Sequence, residues 1–278
     1  MISKTLALNP IAWQAGPFTI HWYGVIIASG VILALWLSIR EGKRQGINED
    51  VFYDYLLWAL PIAIICARTY YVVFQWPYYR LHPSEIIAIW DGGIAIYGAI
   101  IGGFVTLLIL CHVRQLPVWT MLDVIAPTVI LAQAIGRWGN FMNQEAFGTI
   151  TTKSALMAQH LPMWIIKQMD ISGAYRVPTF FYESMWDLLG FVLLVSLRHR
   201  RHLFKEGEVF FAYLIWYSLG RFWIEGMRTD SLMWGPIRVS QLLSVLIFVV
   251  SIALVLWRRQ HSPQLKWYEQ VKENNHEQ

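Results

Sequence analysis

Residues 19–40 read TIHWYGVIIASGVILALWLSIR, and this stretch decides the class of fold. It holds no acidic residue and no lysine, and its one arginine comes last. An α-helix rises about 1.5 Å per residue, so about 20 apolar residues cross about 30 Å of hydrocarbon. A helix suits that environment because it satisfies its backbone donors and acceptors internally. Six further runs repeat the pattern, near residues 51–75, 94–113, 118–138, 179–198, 208–225 and 237–257. The expected fold is all-α, a polytopic membrane protein with seven transmembrane helices. Residues 1–258 are expected to form one transmembrane helical domain, including an extracytoplasmic segment at about 139–178. Residues 259–278 would be a cytoplasmic tail.

Composition agrees. The 278 residues are 56% hydrophobic and 14% charged, with a mean hydropathy of +0.42. A soluble domain carries about 25% charged residues. Here the deficit falls in long uncharged runs, which excludes disorder, a coiled coil and a barrel of alternating strands. The net charge of +4, from 22 Lys and Arg against 18 Asp and Glu, is too small to indicate nucleic acid as a partner. Cys66 and Cys111 both lie in apolar runs, so neither a disulfide framework nor a Cys-based metal site is written, and no cofactor is indicated. The first 18 residues contain only Lys4 as a basic residue and are interrupted by Pro10 and Pro17, so a cleavable signal peptide is not expected.

Orientation follows from the basic residues. Twelve fall on one side, namely Arg40, Lys43, Arg44, Arg114, Arg198, Arg200, Arg201, Lys205, Arg258, Arg259, Lys266 and Lys272. Seven fall on the other, Lys4, Arg80, Lys153, Lys167, Arg176, Arg228 and Arg238. The richer side is cytoplasmic, with the N-terminus outside and the C-terminus inside. Trp76, Tyr78, Tyr79, Trp90, Trp234 and Trp257 stand at segment ends as interface anchors. The apolar stretch ALMAQHLPMWIIKQM is too short to span and is expected in or near the outer interface. Gly98, Ala99, Gly102 and Gly103 predict close helix packing.

Ionisable groups inside spans cost at least a few kcal/mol at the centre, so each is a functional candidate. With this topology Tyr23, Tyr97, Arg137, Glu183, Arg221 and Glu225 reach the outer-leaflet headgroup level on different segments. Gln133, Arg137 and Asn140 form one helical stripe, and Tyr217, Arg221, Glu225 and Arg228 another. A carboxylate between arginines can be a structural ion pair. That pair needs only one Arg, whereas this stripe supplies two and Arg137 adds a third. Several arginines at headgroup depth match a phosphodiester, because the guanidinium is always charged and its fork binds phosphate oxygens bidentately. Asp54 and Asp123 read as interfacial or helix-start charges, and Arg68 as a possible addition to the outer cluster. His199 and His202, in RHRRH, read as a solvated or anionic-lipid-facing loop. A Ser-His protease is excluded because no His lies deep in a span, although Ser29 precedes Gly30.

Residues 132–148, AQAIGRWGNFMNQEAFG, resemble the pattern of the bacterial prolipoprotein diacylglyceryl transferases through Gly136, Arg137, Gly139, Asn140, Phe141, Asn143, Glu145 and Gly148. The resemblance continues, in order, in HWYG (21–24), WDGGIAIYGAIIG (90–102), PTFFYES (178–184) and YSLGRFWIEGMRTD (217–230). It implies transfer of the diacylglyceryl group of phosphatidylglycerol to the lipobox cysteine thiol of a preprolipoprotein, releasing glycerol phosphate and leaving a thioether. The nucleophile then belongs to the substrate, and Cys66 and Cys111 are packed hydrophobes.

On this resemblance Arg137 and Arg221 would bind the phosphate, with Arg228 assisting. Tyr23, Asn140 and Asn143 would hydrogen-bond headgroup or glycerol oxygens, and Tyr217 joins them as a substrate-binding residue. Glu145, Glu183 and Glu225 would orient the arginines, and Gly148 would permit close backbone approach. Many relatives carry His where this chain has Tyr97, and another frequent His position is Val177 here. With a reference pKa of about 10, a Tyr is a poor base near neutrality, so Tyr97 is expected to position substrate. The location implied is the bacterial cytoplasmic membrane, the site facing the outer leaflet. The competing class is a transporter of an anionic lipid or small anion, whose site would sit nearer the midplane.

Overall fold

The computed structural model describes residues 8–16, 18–229, 231–262 and 264–269. Lys4, Pro17, Asp230 and Lys272, used in the sequence reading, lie outside the described residues. In chain order the elements are β1 (Ile11–Ala15), β2 (Phe18–His21), α1 (Trp22–Arg44), α2 (Glu49–Phe74), α3 (Trp76–Tyr79), α4 (Ile96–Val113) and α5 (Val118–Asn143). Then come α6 (Lys153–Ala158), α7 (Met163–Gln168), β3 (Asp170–Ile171), β4 (Ala174–Tyr175), α8 (Thr179–Leu197), α9 (Glu208–Met227), β5 (Met233–Trp234), β6 (Ile237–Arg238) and α10 (Val239–His261).

Among the described residues six helices, α1, α2, α4, α5, α8 and α10, are long and apolar enough to cross a membrane. The protein is a mostly helical, multi-pass membrane protein. The remaining expected span, at 208–225, forms α9, a 20-residue helix whose Glu208, Arg221 and Glu225 and Tyr and Trp residues leave it outside that set of six. Among the described residues there are three short antiparallel hairpins: β1–β2 precedes α1, β3–β4 lies between α7 and α8, and β5–β6 lies between α9 and α10. One of them corrects the expected first span. Residues 19–21 are strand, and the helix begins at Trp22, whose N–H is bonded to Pro10 O at 2.9 Å. At the other extreme α5 runs five residues past the expected end at 138, carrying Asn140 and Asn143 on the helix. Gln144 and Ala146, both at φ 53°, then turn the chain away.

The chain divides into two compact units, Ser38–Leu122 and Met1–Leu37 with Asp123–Gln278. In the first, Asn48 caps α2 by accepting from Asp50 N at 3.0 Å, and Glu49 and Asp50 favour the positive end of the helix dipole. Helix α4 packs on α2 through the predicted small residues. A Cβ on Gly98 would stand 2.3 Å from Cys66 O, and one on Gly102 would stand 2.9 Å from Cys66 Cβ. Asp54 is ion-paired with Arg114 near the opposite end of this helix pair. Arg68 does not serve as a free cation. It is buried and donates to the main-chain carbonyls of the 85–93 segment. Trp76, Tyr78 and Trp90 are exposed, as interface anchors should be, whereas Tyr79 is buried beneath the Arg68 guanidinium, 5.2 Å from its ring centroid.

In the second unit the stretch expected at the interface has another reason for its apolarity. Leu156, Leu161, Ile165, Ile166 and Met169, from α6, α7 and the turns beside them, form a core with Phe141 of α5 and Phe180 of α8. Gln168, buried with them, donates to Phe141 O at 3.1 Å and so ties α7 to the end of α5. Asp123, expected as an interfacial or helix-start charge, serves the start of another helix. Fully buried, it accepts from Gly207 N at 2.6 Å and Phe210 N at 2.9 Å, and so caps α9 from α5. His199 and His202 are exposed, in a loop that residues 267–269 contact. Tyr268 N–H bonds Phe204 O at 2.9 Å, and His202 N–H bonds the Glu269 carboxylate at 3.1 Å.

Candidate active site

Helices α5, α8 and α9 of the second unit bring four of the expected residues together. Arg137 Nη2 lies 2.8 Å from Glu183 Oε1, and Arg221 Nη1 lies 3.5 Å from the same oxygen. Arg221 Nη2 is 2.6 Å from Glu225 Oε2, one turn along α9. The result is a chain of alternating charge, Arg137–Glu183–Arg221–Glu225, from three helices. Its asymmetry matters: the Glu183 and Glu225 side chains are 5% and 2% exposed, the Arg137 and Arg221 side chains 22% and 17%. The carboxylates stand behind and the guanidinium groups keep an accessible face. That is the arrangement expected of a receptor for an anion, since the fork retains donors beyond those spent on the carboxylates.

Local packing sets this geometry. Ser184, next to Glu183, donates to Ala134 O at 2.9 Å and accepts from Trp138 Nε1 at 3.1 Å, fastening α8 to α5 on either side of Arg137. Trp186 and Trp216 stack with centroids 4.3 Å apart, and each indole N–H donates to the other's carbonyl, at 3.1 and 3.0 Å. These rings lie over Gly220 and Gly190, where a Cβ would come within 2.3 Å of them. This contact fixes α8 against α9 and thereby Glu183 against Arg221. Arg238 donates through Nη1 to Glu225 O at the end of α9.

Two members of this cluster stand outside the residues expected from the sequence. Asp187 is 2% exposed, stands one turn beyond Glu183 on α8 and lies within electrostatic reach of Glu183, Arg137 and Arg221. A second Asp or Glu four residues from Glu183 in an apolar run was the available signal. Tyr213, which donates to Gln133 Oε1 at 3.4 Å, continues the polar column inward, with Tyr217 between it and Arg221 in the order of α9.

The motif residues after Arg137 build an adjoining pocket of about 420 Å³, lined by Asn140, Gln144, Glu145, Ala146, Phe147, Arg228 and Thr229. Glu145 N–H bonds Asn140 O at 2.9 Å, and Asn143 Nδ2 donates to Glu145 Oε1 at 3.4 Å. Gly148 bridges to Arg228, so two separate motifs meet at the pocket rim. The groups that crowd Gly148 are the chain's own: a Cβ there would meet Val177 Cβ at 2.8 Å and Met227 O at 3.0 Å. Tyr23, on α1, lays its ring on Gly139, where a Cβ would stand 2.8 Å from Tyr23 Cδ2. Tyr97 belongs to the other unit. It sits on the first turn of α4, 39% exposed, its ring centroid 6.2 Å from that of Tyr70.

The fold and this cluster define a class: a multi-pass helical membrane protein with paired, braced arginines able to hold a phosphate ester. Residues 10–257 match the family model described as prolipoprotein diacylglyceryl transferase, and the chain belongs to that family. It is 71% identical over 262 residues, 94% of each chain, to the phosphatidylglycerol–prolipoprotein diacylglyceryl transferase of Limosilactobacillus reuteri (strain DSM 20016). Proteins of the same description in Lactiplantibacillus plantarum and Ligilactobacillus salivarius are 61% and 62% identical, each over 94% of this chain and over 93% and 97% of their own.

Proposed function

We propose that the protein transfers the diacylglyceryl group of phosphatidylglycerol to the lipobox cysteine thiol of a preprolipoprotein, the first step of bacterial lipoprotein maturation. The reading rests on family membership over nearly the whole chain. The observation that carries the chemistry is the Arg137–Glu183–Arg221–Glu225 chain.

The substrate thiolate attacks the glyceryl carbon that bears the phosphoester. A C–S bond forms as the C–O bond breaks, the electron pair leaves on the phosphate oxygen, and the thiol proton is released. Glycerol phosphate departs with more charge on its oxygens than the diester carried. Arg137 and Arg221 bind the phosphate and stabilise that developing charge, because fixed donors aimed at a leaving oxygen need no reorganisation when it forms. Glu183 and Glu225 keep the guanidinium planes in place. Arg228, Asn140, Asn143, Glu145, Tyr23 and Tyr217 contact the headgroup or its glycerol. Tyr97 enters through its motif and positions substrate. No enzyme nucleophile is used, in keeping with Cys111, which is buried, and with Cys66, whose carbonyl and side chain pack against α4.

In this assignment α9 is the seventh span, stabilised by charge partners on α5 and α8. The N-terminus is outside, and the site opens to the outer leaflet of the cytoplasmic membrane. A transporter of lipid or anion gains no support from the family match. Purified protein incubated with phosphatidylglycerol and a lipobox peptide should yield a peptide carrying a thioether-linked diacylglyceryl group, read by mass spectrometry. Folded protein that binds both substrates and yields no such product overturns the proposal.

A further inference from the structure

The WDGG half of the 90–102 motif has a partner within its own unit. Arg68, on α2, donates through Nη1 to Gly92 O at 2.7 Å and Gly93 O at 2.8 Å, through Nε to Ile86 O at 2.8 Å, and through Nη2 to Glu85 O at 2.6 Å. Four of the five guanidinium donors carry a hydrogen bond to the main chain. The two glycines permit this. Gly92 and Gly93 have φ of +86° and +70°, and a Cβ on Gly93 would stand 2.6 Å from Arg68 Nη1. Just beyond, Ala95 N–H bonds Ala67 O at 3.1 Å, and Gly98 presses on Cys66 O. The entry to α4 is therefore held on one turn of α2 from above and below, and Tyr97 lies between these two attachments.

We infer that Arg68 is a positioning residue for the transfer reaction: by gathering the carbonyls of residues 85–93 it sets where the first turn of α4, and with it Tyr97, is held. This rests on the assignment of Tyr97 to the substrate site. A side chain that orients substrate must be fixed to within a fraction of an ångström, since a displacement of about 1 Å can cost on the order of a hundredfold in rate. A segment of glycines and 3₁₀ turns, Pro83–Glu85 and Ile89–Asp91, has little rigidity of its own, and Arg68 supplies it.

The test combines hydrogen exchange with a double-mutant cycle on the full-length protein. Arg68→Gln should raise amide exchange across residues 85–95 by about tenfold or more while the rest of α2 and α4 keeps its protection. It should lower kcat roughly tenfold with KM for phosphatidylglycerol changed less than about twofold. In a Tyr97→Ala background the same substitution should lower kcat less than about twofold, because the residue it acts through is gone. Gly93→Ala, which leaves Arg68 in place and pushes its guanidinium aside, should reproduce the exchange and rate effects and serves where Arg68→Gln fails to fold. Multiplicative effects of the two substitutions overturn the inference, as does unchanged kcat in either latch variant. Impaired Tyr97→Ala beside fully active Arg68→Gln and Gly93→Ala removes only the role of Arg68. Fully active Tyr97→Ala removes Tyr97 from the site, and the inference falls with it.

Discussion

Glu183→Gln isolates the brace behind the two arginines. The substitution keeps the volume and removes the charge from an oxygen that lies 2.8 Å from Arg137 and 3.5 Å from Arg221. At an effective dielectric of about 20 those pairs amount to about 6 and about 5 kcal/mol before solvation is counted. Burial of the carboxylate opposes this gain, and the partly exposed arginines recover some hydration once released. The net loss of stability should be on the order of 3 kcal/mol. For a chain of this size that is a fall in Tm of about 6–12 °C. A thiol-reactive fluorogenic dye can follow unfolding in detergent through Cys111, which is buried. The kinetic signature has a direction of its own. Two arginines relieved of a carboxylate attract the anionic headgroup more strongly, so KM for phosphatidylglycerol should stay level or fall. Loss of their alignment should lower kcat at least about tenfold. Unchanged Tm and kcat would show that the brace has no role. A raised KM with normal kcat would place Glu183 on the substrate instead of behind the arginines.

Arg137→Lys and Arg221→Lys should each lose most turnover, by roughly a hundredfold, since a point charge cannot reproduce a bidentate fork; normal rates in folded protein would dissolve the site. The double variant Cys66→Ala with Cys111→Ala should stay active in the peptide assay, and loss of turnover in folded protein would indicate an enzyme-bound intermediate. Tyr97→Phe should keep part of the activity while Tyr97→Ala loses more; a dead Tyr97→Phe that still binds lipid would make the phenol the proton acceptor. Single cysteines at Gln159 and at His202, in a background without Cys66 and Cys111, should be labelled by an impermeant reagent from opposite sides of the membrane. Labelling from one side would dismantle the outer-leaflet assignment.

Much of the architecture was legible in the sequence because hydropathy reports where backbone can enter lipid, and the six apolar helices fall within a few residues of their expected ranges. The spacing of Arg221 and Glu225 on α9 placed a pair that the structure joins at 2.6 Å. What hydropathy cannot report is whether an apolar side chain meets lipid or protein. Ile165 and Ile166 fill a core with Phe141 and Phe180 from helices on either side of them in the chain. A partner distant in sequence is equally silent. Asp123 looked like a charge at a helix start, yet its acceptors are spent 84 and 87 residues away on α9. Arg68 looked like a spare cation for the phosphate, yet its donors are spent on four carbonyls of a neighbouring turn. Gly92 and Gly93 stood in the motif as symbols until that contact gave them a physical use.

The deficient apolarity of α9 has a consequence for how the chain is made. The other six apolar helices can partition from the translocation channel into lipid on their own composition. Helix α9 arrives with Arg221 and Glu225 and with unpaired amides at Gly207 and Phe210. Glu225 pairs with Arg221 within α9, while the arginine and the amides also find complements on helices synthesised earlier: Glu183 on α8 for the arginine, Asp123 on α5 for the amides. If α9 is the seventh span, as proposed above, its integration should be conditional on α5 and α8 waiting beside the channel. Arg221, proposed above to bind phosphate in the mature protein, would then serve first, during biogenesis, as the credential by which α9 is admitted to the bilayer.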